Sequence, residues 1–111
     1  MFLQEKQLGQ LRPANTTAAS LYSPAASTTA IIKCLTVCNT TASSATFRVF
    51  HDDDGTTYDE STALFYDVSI SANTTVEMDS FKAMNDSTGN LAVRTGTASA
   101  LTFTLYGAEI T

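Results

Sequence analysis

The sequence predicts an all-β protein: an antiparallel β-sandwich of seven to eight strands, with jelly-roll or immunoglobulin-like topology and an extended N-terminal arm. Short runs rich in β-branched and aromatic residues are separated by turn-forming residues every ~8–12 positions. No stretch after residue 18 shows a helical period. The 111 residues suffice for one domain. We therefore expect an arm over residues 1–18 and a β-sandwich domain over residues 19–111.

The run over residues 29–38 predicts the central strand, because it is the longest stretch rich in β-branched and apolar residues. Both of its faces are mostly apolar, which indicates burial on both sides. Cys34 and Cys38 fall on one face, roughly 13 Å apart along an extended strand, which is too far for a disulfide between them. We expect two buried free thiols, as is typical of a reducing compartment.

The other predicted strands cover residues 19–23, 46–51, 64–70, 75–80, 91–94 and 100–106, with a longer turn over residues 85–90. Alternation of side chains along each strand assigns residues to an inner or an outer face. The predicted core consists of Ile32, Leu35, Val37, Phe47, Leu64, Tyr66, Val68, Val76, Leu91, Val93, Leu101 and Phe103.

The first 18 residues carry large apolar side chains, although Gly9 and Pro13 would interrupt a helix. Large apolar groups are costly to leave in water, so we expect this arm to dock on a neighbouring molecule. The predicted partner-binding residues are Phe2, Leu3, Leu8, Leu11 and Arg12.

An acidic stretch over residues 51–60 contains a motif that resembles the Asp-box turn, with His51 in place of its serine. Side-chain bonding by an aspartate and a glycine with positive φ would fold such a turn back on itself. We therefore expect a structural hairpin turn whose residues are Asp53, Gly55, Thr57 and Tyr58.

A calcium loop is the alternative for this stretch. An EF-hand register centred on Gly55 would put Phe50 and Ser61 where carboxylates are required, so the EF-hand is excluded. An irregular, weak calcium site stays open as the alternative.

The composition argues against several classes of function. Six basic against eleven acidic residues give a net charge of −5, which would repel a nucleic-acid backbone. No apolar run approaches the ~20 residues of a membrane span. Two cysteines and one histidine are a weak ligand set for a metal, and no residue pattern supplies a nucleophile with its base. We expect no enzymatic activity, no metal and no cofactor.

Four short runs resemble parts of small virion proteins of tailed bacteriophages: LRP at residues 11–13, LYSP at 21–24, DDDGTTYD at 52–59 and NLAVR at 90–94. The chain is similar, more specifically, to capsid decoration (cement) proteins that have a β-sandwich body and an extended terminal arm. This resemblance implies a non-enzymatic virion structural protein on the outer surface of the head, assembled in the host cytoplasm. It further implies a homotrimer whose partner is the major capsid protein.

A second function from a different class is a tail or baseplate β-sandwich module that binds a receptor or carbohydrate. Such a module would expose aromatic rings for stacking on sugars, and Tyr22, Tyr58 and Tyr106 are the candidates.

Overall fold

A computed structural model describes residues 2–84 and 88–111, and these residues form an all-β sandwich of two four-stranded antiparallel sheets. The predicted fold class is confirmed. The predicted turn over residues 85–90 lies partly outside the described residues. The strands are β1 (Leu3–Leu11), β2 (Ala19–Tyr22), β3 (Thr29–Asn39), β4 (Ala45–Asp52), β5 (Ala63–Ile70), β6 (Thr75–Met84), β7 (Asn90–Thr95) and β8 (Leu101–Ile110).

The strand order identifies the topology as a jelly roll. The first sheet has the order β1-β8-β3-β6 and the second sheet the order β2-β7-β4-β5. Strands 1 and 8, 2 and 7, 3 and 6, and 4 and 5 are therefore neighbours, as in one long hairpin rolled into two layers. Of the two topologies that the sequence allowed, the structure has the jelly roll.

The N-terminal segment is part of this sandwich. Leu3–Leu11 pairs along its length with β8 as an edge strand of the first sheet, with a register shift between Gln7 and Gly9. This differs from the predicted division into an arm of residues 1–18 and a body of residues 19–111. Alternation failed to reveal β1 because its residues are mostly polar and the irregularity breaks the period of two.

The core lies between the two sheets, where Phe47 of the second sheet meets Phe103 of the first edge-to-face at 6.1 Å. Hydrophobic burial drives this packing, and jigsaw-like contact of aromatic and branched side chains makes it specific. Eight predicted core residues are buried: Ile32, Leu35, Val37, Phe47, Leu91, Val93, Leu101 and Phe103. Val68 and Val76 are only partly buried against this cluster.

Two predicted core residues, Leu64 and Tyr66, are exposed, so that part of the core prediction is wrong. In the pairing of β5 with β4, two residues of β5 lie between Phe65 and Val68, whereas only Arg48 lies between their partners on β4. Asp67, one of the extra residues, has a φ of 51°. Such a bulge shifts the alternation, so that Phe65 packs against the core and Tyr66 lies on the outer face.

A similar irregularity reorients β3. Ile32 pairs with Gly107 and Cys34 with Tyr106, so Lys33 is an extra residue relative to β8. Ile32 therefore faces the core together with Leu35, which strict alternation would place on opposite faces.

Candidate functional site

The five residues of the predicted partner-binding arm do not form one surface. Phe2 and Leu3 are 66% and 61% exposed at the start of the first sheet's edge strand. Leu8 and Leu11 instead pack against the protein's own core. Arg12 donates a hydrogen bond from Nη2 to the carbonyl oxygen of Ser99, in the connection between β7 and β8. Phe2 and Leu3 are therefore the apolar side chains of this set that are exposed to meet another molecule.

The opposite edge of the same sheet carries a further exposed aromatic residue that the sequence analysis did not single out. Phe81, in β6, is 80% exposed. It belongs to a bulge in β6: Ile32 pairs with Lys82 and Cys34 with Asp79, so two residues of β6, one of them Phe81, lie opposite the single residue Lys33 of β3. The sequence does not distinguish Phe81 from the buried Phe47 and Phe103, which also have polar neighbours on both sides.

The acidic turn joins β4 to β5, as predicted, but Asp52 is the residue that organises it. Its carboxylate oxygens accept hydrogen bonds from the backbone N–H of Asp54 at 3.1 Å and of Thr57 at 2.8 Å. These bonds stabilise the charged carboxylate and hold the pKa of Asp52 below its usual value. Asp53 lies beside His51 instead, 3.4 Å from its Nε2.

The remaining predicted turn residues connect this loop to the sheet. The carbonyl oxygen of Gly55 accepts a hydrogen bond from Nδ2 of Asn90 at 2.8 Å, which links the loop to β7. Gly55 does not have the positive φ that was expected of it. Tyr58 packs its ring against Phe50, with the ring centres 6.3 Å apart. The loop is therefore folded onto the outer face of the second sheet.

The two cysteines are free thiols, and both are half-buried, so the prediction of buried cysteines is wrong. Regular alternation after Lys33 places Cys34 and Cys38 on the outer face of the first sheet, opposite Leu35 and Val37, which face the core. Desolvation by burial, with a further contribution from hydrogen bonding to Glu77, raises the pKa of Cys34 to about 11. A thiol with so high a pKa is mostly protonated, and hence a poor nucleophile, at neutral pH.

One group of side chains in the described ranges brings three metal-ligating atoms together. Cys34, Glu77 and Asp79 place their ligand atoms within 4.8 Å of one another. The group forms because Cys34 and Asp79 are directly paired across β3 and β6, a juxtaposition that the sequence does not reveal. Exposed carboxylates commonly cluster without an ion, and we assign no metal to this group.

A cavity of about 660 Å³ lies on the outer face of the second sheet. Its walls come from residues 16–18, from strands β4, β5 and β7, and from the loop between β4 and β5. Arg48 and Arg94 lie directly opposite each other across β4 and β7 in its lining. Two like charges in such a pair are destabilising unless their surroundings compensate them.

Arg48 is compensated within the protein. Its Nε and Nη2 donate to the two carboxylate oxygens of Asp67 at 2.6 and 3.0 Å, and its guanidinium carbon lies 3.9 Å from the centre of the Tyr66 ring. The hydrogen bonds from Arg48 hold the pKa of Asp67 below its usual value. This arrangement depends on the bulge in β5, which turns Tyr66 outward and was not predictable from alternation.

No helix in the described part of the chain is long and apolar enough to cross a membrane.

Comparison with solved structures shows a likeness to a viral chain. No protein family and no curated protein matches the chain. A chain in the structure of infectious bursal disease virus, Gt strain, is similar over 97% of this chain, with 12% sequence identity and a TM-score of 0.41. This protein spans only 29% of the length of that viral chain. A likeness of this degree concerns the fold alone, and the functional argument below rests on other observations.

Proposed function

We propose that this protein is a non-enzymatic structural protein of a virion, and that it acts as a capsid decoration (cement) protein. In this proposal it binds the outer surface of the head, where it bridges and stabilises neighbouring subunits of the major capsid protein. It assembles in the host cytoplasm as a homotrimer, and neither nucleic acid nor membrane is a partner. The resemblance of its sequence to phage decoration proteins supports this choice.

The observation that carries the proposal is the exposure of large apolar side chains at both edges of the first sheet. Phe2 and Leu3 lie at the β1 edge, and Phe81 lies at the β6 edge. Sheet edges also present unpaired backbone N–H and C=O groups, which are suited to pairing with another chain. Exposed sheet edges with apolar residues promote aggregation of a protein that acts alone. In one subunit of a lattice, the same edges form contacts between subunits.

The fold and the charge are compatible with this role. Eight-stranded jelly rolls occur in viral capsid proteins, although they also occur in lectins and cupins. The net charge of −5 would repel a packaged nucleic acid, so the protein would stay on the protein shell. Several weak contacts from a trimer would act together, which raises the overall affinity well above that of a single contact.

The test is co-sedimentation of the purified protein with undecorated heads of its source virus. Deleting residues 1–12 is a poor variant because it would remove β1 from the sandwich. Point variants are better: Phe81→Ser alone, and Phe2→Ser combined with Leu3→Ser. Leu64→Ser is the matched control, since Leu64 is an exposed leucine on the second sheet.

We expect the wild type and Leu64→Ser to co-sediment with heads, and both edge variants to bind at least about tenfold more weakly, a loss equivalent to roughly 1.4 kcal/mol. Sedimentation velocity of the free protein should give a trimer. A wild-type protein that does not bind heads would contradict the decoration role. Equal binding by all variants would exclude the sheet edges as the contact.

The second candidate function, a tail or baseplate module that binds a receptor or carbohydrate, is supported by the cavity on the second sheet. Of the tyrosines predicted for such a role, Tyr58 lines this cavity. Tyr22 is buried, and Tyr106 is exposed on a strand of the first sheet.

A further inference from the structure

The lining of the cavity on the second sheet contains hydrogen-bond donors, hydrogen-bond acceptors and aromatic rings. Its volume of about 660 Å³ falls within the range of small-molecule sites, roughly 300–1,000 Å³. It is assembled from segments far apart in sequence, since residues 16–18 face strands β4 and β7 and the loop at residues 58–61. The fold, and not one flexible loop, therefore defines its shape.

The donor is Arg94. Its Nε donates to the carbonyl oxygen of Thr16 at 2.7 Å, which fixes the direction of the guanidinium group. Its two Nη groups make no hydrogen bond with any residue that the structure describes. This half-buried arginine lies opposite Arg48, and besides the hydrogen bonds from Arg48 the charges of both arginines help to lower the pKa of Asp67. The Nη groups of Arg94 are thus the donors that a ligand in the cavity would meet.

The acceptors are the carboxylates of Asp59 and Glu60. Oδ1 of Asp59 accepts hydrogen bonds from the backbone N–H and the hydroxyl of Ser61, which hold the pKa of Asp59 below its usual value and keep it charged. Oδ2 of Asp59 accepts none from the described residues. Glu60 accepts a long hydrogen bond of 3.4 Å from the Tyr66 hydroxyl. Both carboxylates thus keep lone pairs for a ligand that donates hydrogen bonds.

The charge of the cavity argues against an anionic ligand. Asp59 and Glu60 lie in the lining with the two arginines, and Asp67 is bound to Arg48. Three carboxylates outnumber two guanidinium groups, so a phosphate or a carboxylate would meet no net positive charge.

We infer that this cavity binds a neutral oligosaccharide. Adjacent sugar hydroxyls both donate and accept hydrogen bonds, which matches a lining that contains the carboxylates of Asp59 and Glu60 together with Arg94. Tyr58 and Tyr66 supply aromatic surface for the apolar faces of sugar rings. The inference rests on the second candidate function, for which it names the class of ligand, and not on the decoration role, because the cavity lies on the second sheet and the proposed subunit contacts lie at the edges of the first.

The test is binding of the full chain to an array of neutral and acidic oligosaccharides, followed by titration calorimetry with the best neutral ligand. Arg94→Gln removes the donor charge but retains a group that can still bond Thr16, and Asp59→Asn removes one acceptor charge. Lys33→Gln is the matched control, because Lys33 pairs with Glu5 on the first sheet, away from the cavity. Melting temperatures of all variants establish that each is folded.

We expect neutral oligosaccharides to bind, with at least about tenfold weaker binding by Arg94→Gln and by Asp59→Asn, since each loses a charge-assisted hydrogen bond. Lys33→Gln should bind within about twofold of the wild type, because it leaves the cavity intact. The inference is overturned if no neutral oligosaccharide binds, if acidic ones are preferred, or if neither cavity variant weakens binding. A negative result for oligosaccharide binding would leave the proposed binding to heads untouched, and a negative result for binding to heads would leave oligosaccharide binding untouched.

Discussion

At the scale of single residues, Asp52 shows how one carboxylate can organise a loop. It is buried at the end of β4 and accepts two backbone hydrogen bonds from the turn that follows. Because its pKa is lowered in the folded protein, it adds stability above its ordinary pKa of 3.8, and this stability is lost as the pH falls through its folded value. The hydrogen bond with Asp52 raises the pKa of Asp54, so ionisation of Asp54 lowers the stability of the folded protein above the ordinary pKa of 3.8.

We predict that Asp52→Asn lowers the melting temperature at pH 7 by several degrees, because an amide offers one acceptor where the carboxylate offers two. The difference from the wild type should shrink as the pH falls below 3.8, and it should be lost once the pH has fallen through the lowered pKa of the folded-state carboxylate. Thermal denaturation followed by circular dichroism at both pH values measures it. Asp53→Asn is the control. A larger decrease in melting temperature for Asp53→Asn than for Asp52→Asn would show that Asp53, and not Asp52, organises the loop.

At the scale of strands, irregularities decide which side chains face the core. The extra residue in β3 and the bulge in β5 each shift the alternation by one position. Gly107 sits beside the first of these, where a Cβ atom would overlap the carbonyl oxygen of Ile31 and lie 2.9 Å from Cδ1 of Leu8. Glycine at this position therefore allows β8 to approach β3 closely.

We predict that Gly107→Ala destabilises the protein by roughly 1–3 kcal/mol, because the methyl group meets backbone atoms that cannot rotate away. Urea denaturation measures the free energy of unfolding. Gly55→Ala is the comparison, since its added Cβ would come no closer than 3.2 Å to a side-chain oxygen of Asp52. If Gly107→Ala and Gly55→Ala have the same free energy of unfolding, a glycine at residue 107 is not required for the stability of the β3–β8 pairing.

Seven of the eight strands could be predicted from the sequence because their branched and aromatic residues alternate between clear turns. β1 was missed because most of its residues, such as Glu5 and Lys6, are polar and a register shift between Gln7 and Gly9 interrupts its alternation. Leu64 and Tyr66 were assigned to the core because a bulge leaves no mark in a hydrophobic pattern. The site was harder still: the cavity and the Arg48–Arg94 pair arise from contacts between strands that only the topology brings together.

At the scale of the whole molecule, a polar connection joins the two sheets inside the sandwich. The hydroxyl of Tyr22, in the second sheet, donates to Oε2 of Glu109, in the first, at 2.6 Å. Lys6 lies 2.9 Å from Oε1 of the same carboxylate. The bond from Tyr22, and then the one from Lys6, lower the pKa of Glu109, while desolvation and the bond to Glu109 raise that of Tyr22.

We predict that Tyr22→Phe lowers the free energy of unfolding by roughly 1.5–3 kcal/mol at pH 7, the usual range for a hydrogen bond to a charged group. The lowered pKa of Glu109 means that this difference is present above pH 4.5 and is lost as the pH falls through the folded value. The raised pKa of Tyr22 keeps the phenol protonated above pH 10. Urea denaturation at pH 7 and pH 3 tests the dependence on Glu109, and an equal difference at the two pH values would contradict the assignment to Glu109.

The place of β8 between β1 and β3 also determines when the first sheet can form during synthesis. On the ribosome, β2, β4, β5 and β7 are all complete before Leu101–Ile110 has been added, so the second sheet can pair first. Until β8 emerges, β1 has no strand to pair with, and Phe2 and Leu3 have no fixed position relative to Phe81. A nascent chain without β8 therefore cannot present both edges of the first sheet, β1 and β6, which are proposed to join subunits. The order of the strands thus prevents unfinished chains from associating through both edges at once.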